Sequence, residues 1–238
     1  MRLINLVCII VLLNIKANCQ YEIFEGKLGQ SSIQLTLCMS SDGYCDPSCV
    51  YMYDRYRTPI ELVSILKGDT MLFFENYDWY KGAFSAVISI PNWNDNRNNV
   101  ILNGSWKDYK TKSLLKVTLN KKYEFNKNEE NEIISNKELL QIASTKEDYF
   151  KIVISKKERD NSPHVNAIRV YDKKTGNCKQ EIKYKGEIES RLFDDISVNS
   201  DSSFLFGRFD YNGGHRYGKV YKKGSSNGIY IYIRDFKE

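Results

Sequence analysis

Residues 194–214 read DDISVNSDSSFLFGRFDYNGG, and the acidic residues, Asn199, Asp201 and paired glycines are the residue types from which calcium loops are built. A loop of the form D-x-N-x-D-G presents carboxylate and carbonyl oxygens at alternate positions, so that hard-oxygen ligands converge while the glycine permits the turn. With Asp201 as the aspartate before the glycine, Asn199 falls correctly, but Ser197 stands for the first aspartate, Ser202 for the glycine and Leu205 for a later acid. Starting at Asp195 restores the first ligand and places Ser197, Ser200 and Ser203 at the second ligand, the glycine and the later acid. Either register leaves too little negative charge for tight calcium binding, so the stretch is expected to be a strand, a turn and a strand, with no metal and no cofactor.

Other chemistry has fewer residues to draw on. His164 and His215 are the only histidines, and neither sits in G-x-S-x-G, H-E-x-x-H or a comparable motif. His164 follows Pro163 at a strand entrance and His215 follows Gly213-Gly214 in a turn, the contexts of solvated loop histidines. A paired-carboxylate glycosidase needs no fixed spacing, but no segment reads as an active site, and the chain is expected not to be an enzyme.

Met1-Arg2 followed by the apolar run Leu3 to Ile15 and then Lys16 reads as a secretory signal peptide. The run is too short for a membrane helix, and nothing later approaches the roughly 20 apolar residues such a helix needs. Cleavage after Cys19 makes Gln20 the new N-terminus, with cleavage after Ala17 as the second choice. Lys16 and Asn18 depart from the small apolar flank of a lipoprotein signal, which disfavours a lipid anchor on Cys19. A periplasmic or secreted protein is expected. Losing residues 1–19 removes Arg2 and Lys16 and none of the 30 acidic residues, which takes the net charge from +5 to +3. That mild excess, with Lys and Glu interspersed, is no nucleic-acid signature.

Cys38, Cys45, Cys49 and Cys178 remain after this cleavage, an even number that in an oxidising compartment reads as disulfides. Zinc on Cys45 and Cys49 lacks both the C-x-x-C spacing and a nearby histidine. Cys38 closes the strand SIQLTLC and Cys49 opens CVYMY, so an antiparallel pair is expected to bring them near the Cα separation of about 5.5 Å that a bridge needs. The preferred pairing is Cys38 to Cys49, with Cys45 as rival partner for either. Cys45 and Cys178 are then left to pair or to remain thiols.

Short runs rich in Val, Ile, Leu, Phe and Tyr, bounded by Gly, Asn, Asp or Ser, recur along the chain in the manner of an antiparallel all-β protein. The first are Ile33 to Leu37, Val50 to Tyr53, Ile60 to Leu66, Met71 to Phe74, Ala83 to Ile90, Val100 to Trp106 and Leu114 to Leu119. LKGDTMLFF, YDKKTGNCKQEI and the GSSNG segment at 224–228 read as hairpins. KKYEFNKNEENEIISN reads as a charged linker and SNKELLQIAS as a short helix. The expected organisation is a signal peptide at 1–19, a meander or barrel-like β domain at 20–120, a linker with at most one short helix at 121–147, and a propeller-like or barrel-like β domain at 148–238. Trp79, Trp93 and Trp106 are expected mainly in packing, although exposed rings would suit a glycan-stacking surface.

VYDKKTGNCKQEI followed by DDISVNSDSSFLFG and aromatic strands resembles the order tG-x-x-Q-x-I, D-x-N-x-D-G-x-x-D and terminal strands of bacterial envelope proteins similar to the I-type lysozyme inhibitor and to immunity proteins against secreted lytic effectors. The resemblance covers residues 148–235, with serines in place of several acids. It implies a protein partner, a peptidoglycan hydrolase or lytic effector, occluded by a Ser-Gly-containing loop. The candidate loop is Ser225, Ser226, Asn227, Gly228 and Tyr230, in which Ser226 and Tyr230 match and the glycine is displaced by one, and Tyr217, Tyr221 and Tyr230 are the expected aromatic anchors. The N-terminal half, FEGKLGQSSIQLTL…YMYDRYRTPIELVSILKGDTMLFFE…LNGSW, resembles uncharacterised bacterial periplasmic β-meander domains, from which no activity follows. A bacterial envelope setting makes the sequon Asn103-Gly104-Ser105 incidental. The leading expectation is steric inhibition of a lytic enzyme. The runner-up is a glycan-binding envelope protein using Trp79, Trp93 and nearby tyrosines.

Overall fold

A computed structural model describes residues 19–40, 48–78, 80–96, 99–126, 134–156, 164–187, 196–210, 215–225 and 227–237. Residues 1–18 of the expected signal peptide, Cys45, Trp79 and Ser226 lie outside the described residues. The protein is all-β. Its first eight strands are β1 (Cys19–Leu28), β2 (Ser31–Ser40), β3 (Ser48–Tyr53), β4 (Ile60–Lys67), β5 (Thr70–Glu75), β6 (Ala86–Ile90), β7 (Ile101–Asp108) and β8 (Leu114–Asn126). Each pairs antiparallel with the next, and β1 pairs with β8, so the sheet closes into a barrel. One helical turn, α1 (Trp93–Asn96), lies between β6 and β7.

Alternation along each strand fills the barrel. Phe24 and Leu28, Ile33, Leu35 and Leu37, Cys49 and Tyr51, Leu62, Met71 and Phe73, Ile88 and Ile90, Leu102, Val117 and Leu119 form one buried cluster. Closing eight strands demands tight bends, and two glycines permit the closest approaches. A Cβ at Gly26 would lie 2.0 Å from the Thr118 carbonyl oxygen, and one at Gly104 would lie 2.2 Å from that of Ser89. Trp93 is buried in the same cluster, its ring edge-on to Phe73 at 6.2 Å. Asp69, in the β4–β5 turn, accepts from the backbone N–H of Trp93 (2.8 Å, main-chain oxygen) and of Asn94 (2.9 Å, carboxylate). Trp93 is therefore a core residue and is not available as the glycan-stacking surface considered above.

The remaining strands make two four-stranded antiparallel meanders. The first holds β9 (Ile134–Ser144), β10 (Asp148–Lys156), β11 (His164–Asp172) and β12 (Cys178–Glu187); the second holds β13 (Ile196–Val198), β14 (Phe204–Asp210), β15 (His215–Lys223) and β16 (Tyr230–Lys237). Phe150, Ile152, Ile168 and Val170 of the first sheet share a core with Ile196, Phe204, Phe206, Tyr221 and Tyr230 of the second. Tyr21, Cys38, Val50 and Met52, on the outside of the barrel, belong to that same core. Arg57 fixes the contact further: its guanidinium donates to the carbonyls of Lys173 (3.0 Å) and Lys174 (2.9 Å) in the β11–β12 hairpin.

Three expectations are corrected. SNKELLQIAS is strand β9, not a helix, because Leu139 and Leu140 are both buried, on opposite faces of a strand, and the ladder to β10 satisfies the backbone. Tertiary burial overrides local helix propensity here. The linker expected over 121–136 is likewise shortened at both ends, since Lys121–Asn126 continue β8 and β9 begins at Ile134.

The third correction is the disulfide. Cys38 and Cys49 are not bonded to each other. Leu37, not Cys38, pairs with Cys49, and an offset of one residue in a strand reverses the face. Cys38 therefore points outward to the shared core while Cys49 points into the barrel. Burial pushes the Cys49 thiol well above its ordinary value. Alkylation of the native protein without reductant is expected to label exposed Cys178 and spare Cys49, whereas denaturation without reductant should release both Cys38 and Cys49 for labelling. A peptide cross-linking Cys38 to Cys49 would contradict this register.

Candidate functional site

The candidate calcium stretch and the candidate inhibitory loop both lie on the second meander. Between β13 and β14 the turn closes on itself: Asn199 N–H donates to the Ser203 carbonyl (2.8 Å), and Ser202 adopts φ 61°. Asp201 Oδ1 accepts from the backbone N–H (3.0 Å) and the hydroxyl (2.5 Å) of Ser203. The carboxylate oxygen that a calcium loop would aim at a cation is thus bonded within the turn. Among the described residues no three His, Cys, Asp or Glu side chains gather as a metal site.

This turn forms one wall of a groove of about 470 Å3 on the sheet face. Leu205, Val220 and Phe236 give it apolar lining, while Asn199, Lys222 and Arg234 supply polar groups. Lys222 Nζ lies 3.7 Å from Asp201 Oδ2. The other wall of the groove is β16, which among the described residues is an edge strand paired with β15 alone. Val220 pairs with Arg234 and Tyr221 with Tyr232, so Ile233 is an extra residue, a bulge that turns side chains out of alternation. Ile231, Tyr232 and Ile233 are 54%, 51% and 47% exposed in succession, with Ile229 also exposed just before the strand.

The β15–β16 connection is the GSSNG hairpin. Gly224 N–H donates to the Ile229 carbonyl (2.8 Å), Gly228 N–H to that of Gly224 (3.1 Å), and Ile229 N–H to Asn227 Oδ1 (3.1 Å). Gly228 takes φ 66°, a conformation that suits glycine. Ser225 and Asn227 are exposed.

Both roots of this hairpin are tied to the first sheet. Lys223, preceding Gly224, reaches Asp148 Oδ2 at 2.7 Å and Glu147 at 2.6 Å. Tyr230 donates its hydroxyl to Asp148 Oδ2 (3.1 Å), and Lys179 pairs with Oδ1 (2.6 Å). Gln180 then clamps the backbone of Tyr230: its Nε2 donates to the Tyr230 carbonyl (2.7 Å) and its Oε1 accepts from the Tyr230 N–H (2.8 Å). Burial, with the charge of Asp148 next, pushes the Tyr230 hydroxyl up to about 12, so it stays protonated and able to donate. A buried carboxylate answered by two ammonium groups and a hydroxyl is a fully satisfied network of the kind that rigidifies its surroundings.

Two expected anchors are therefore corrected. Tyr221 is buried against Phe204, with stacked rings 4.9 Å apart, and Tyr230 is buried with its hydroxyl on Asp148. Both side chains face the interior of the two-sheet pair, so neither offers area to a partner. Tyr217 is placed in β15 opposite Arg208. Asp148, Lys179, Gln180 and the exposed run at 231–233 were not foreseen. The run IYIYI announces a strand, but not that residues 231–235 are exposed on both faces of an edge strand.

Comparison of the chain with family models, with curated proteins and with solved structures finds no match. No helix among the described residues is long and apolar enough to cross a membrane.

Proposed function

We propose that this is an exported binding protein that engages a protein partner through the 224–229 hairpin and the adjoining edge strand β16, and that it acts by steric occlusion. The observation that carries this reading is the pairing of a hairpin rooted at both ends on Asp148 and Gln180 with exposed apolar side chains at its base and just beyond it, Ile229 and Ile231 to Ile233, on either side of buried Tyr230. Contiguous exposed apolar side chains mark interaction surfaces, and a loop fixed before binding pays less ordering entropy on association. The partner that best matches a narrow polar hairpin is an enzyme with an open substrate cleft. The resemblance of residues 148–235 to inhibitors of lysozyme and lytic effectors makes a peptidoglycan hydrolase the first choice.

The test is inhibition at stoichiometric concentration of a panel of lysozyme-type and amidase-type hydrolases by the mature protein. Shortening the loop across Ser225 to Gly228 is expected to abolish inhibition while leaving the melting temperature near that of the parent. Absence of binding across the panel would remove the hydrolase reading, and inhibition that survives the shortened loop would remove the loop's role.

A further inference from the structure

Among the described residues, buried carboxylates come with cations, with one exception. Glu22 pairs with Lys121 at 3.0 Å, and Asp148 with Lys179 and Lys223 at 2.6 and 2.7 Å. Partly buried Glu138 has Lys151 and Arg169 at 3.3 and 2.7 Å. Glu75, at the end of β5, is only 8% exposed and has no cationic partner among the described residues. Burying a charge is costly unless it is paired, so Glu75 stands out in a molecule that otherwise observes this rule.

Its surroundings are arranged for an anion. Oε1 accepts two short hydrogen bonds, from the Tyr51 hydroxyl and from Trp106 Nε1, each 2.6 Å. Burial, and after it the charge of Glu75, push the Tyr51 hydroxyl far above its ordinary value, so it remains a donor. Oε2 has no hydrogen-bond partner among the described residues, yet it is not one of the polar atoms sealed from solvent without one. The site lies at the end of the barrel where β3 finishes, β5 finishes and β6 begins. Partly exposed Tyr53 and Trp106 flank it, and the Tyr51 and Tyr53 rings meet edge to face at 5.3 Å. Of the cations close in sequence to Tyr53 and Trp106, Arg57 holds the carbonyls of Lys173 and Lys174, Arg55 lies over the Tyr56 ring and Lys107 over the Tyr109 ring.

We infer that this end of the barrel binds an alkylammonium ion, whose N–H groups donate to Glu75 Oε2 and whose carbon chain lies against the rings of Tyr53 and Trp106. The carboxylate supplies the charge, the two fixed donors hold its orientation, and aromatic rings accept a cation and its attached methylenes equally well. A free amine and the side chain of a lysine share this chemistry.

Isothermal titration and tryptophan fluorescence of the full mature protein with n-butylammonium are expected to show saturable binding in the millimolar range or tighter, with n-butanol and butyrate silent. Glu75→Gln, which can still accept from Tyr51 and Trp106, should weaken binding by about tenfold or more, the usual effect of losing a hydrogen bond to a charged group. Tyr53→Leu, which leaves the carboxylate in place, should weaken it too and guards against loss of folding in the first variant. Equal binding of Nα-acetyl-lysine amide identifies a polypeptide lysine as an acceptable source, and its exclusion identifies a free amine; both support the site. No saturable binding of butylammonium, equal binding of butanol, or affinity unchanged in both variants would overturn it.

Discussion

Asp148→Ala is expected to lower the stability of the protein by about 3–5 kcal/mol, the range for breaking a buried ion pair by removing one partner. The carboxylate is fully buried and answers Lys179, Lys223 and the Tyr230 hydroxyl at once. Its removal takes the buried carboxylate from two ammonium groups at the seam between the two meanders, leaving Lys179 with Asp172 at 3.8 Å and Lys223 with the exposed Glu147. Urea unfolding should show a lower midpoint at an unchanged slope. Glu147→Ala is the control: it also pairs with Lys223, but its side chain is 68% exposed, and its loss should leave the midpoint nearly unmoved. The two variants behaving alike would mean that the lysines find other partners when Asp148 is gone. Burial alone would lower the Lys223 ammonium, but Asp148 and Glu147 more than offset it and hold it above its ordinary value. A raised lysine contributes stability that is complete below its unfolded value and lost only as pH rises through the folded one. The seam is therefore expected to be insensitive to pH near neutrality and to weaken in strong alkali.

Trp93→Ala is expected to cost about 3–5 kcal/mol, as for other large aromatic side chains removed from a packed core. Trp93 is 1% exposed and fills the barrel beside Phe73. Among the described residues its indole N–H has no hydrogen-bond partner, so Trp93→Phe is expected to forfeit no hydrogen bond and to cost under about 1.5 kcal/mol. Far-UV circular dichroism in urea reads both without relying on tryptophan emission. A phenylalanine variant as damaged as the alanine one would indicate that the indole nitrogen does have a partner, such as a buried water.

The strand runs of the barrel were largely legible because each carries its own alternation and its own turn. Ile33, Leu35 and Leu37 point one way, and Gly68-Asp69 announces the β4–β5 turn, where Gly68 has φ 61°. What could not be read was anything set by a partner outside the local window. β1 was not foreseen although only Cys19 of it falls in the expected leader, and β9 looked helical because Leu139 and Leu140 are adjacent, which in a strand requires burial on both faces. The disulfide failed by a single residue of register that only the Leu37 to Cys49 pairing reveals. At the hairpin, glycine, serine and asparagine identified the turn, but Asp148 and Gln180 lie some tens of residues away in sequence, and no local pattern connects them to Tyr230.

The order in which the barrel acquires its neighbours has a consequence for how the chain reaches its native state. Seven of the eight strand pairings join consecutive segments, so each can form soon after its second strand emerges. The eighth joins Gln20 to Asn126, and closing so long a loop carries an entropic cost that must be met before its contacts repay it. Until β8 is available, one edge of β1 offers unpaired N–H and C=O groups to any strand it meets. A chain that ends before β8 would keep that edge open permanently, so the last strand of the barrel protects the first.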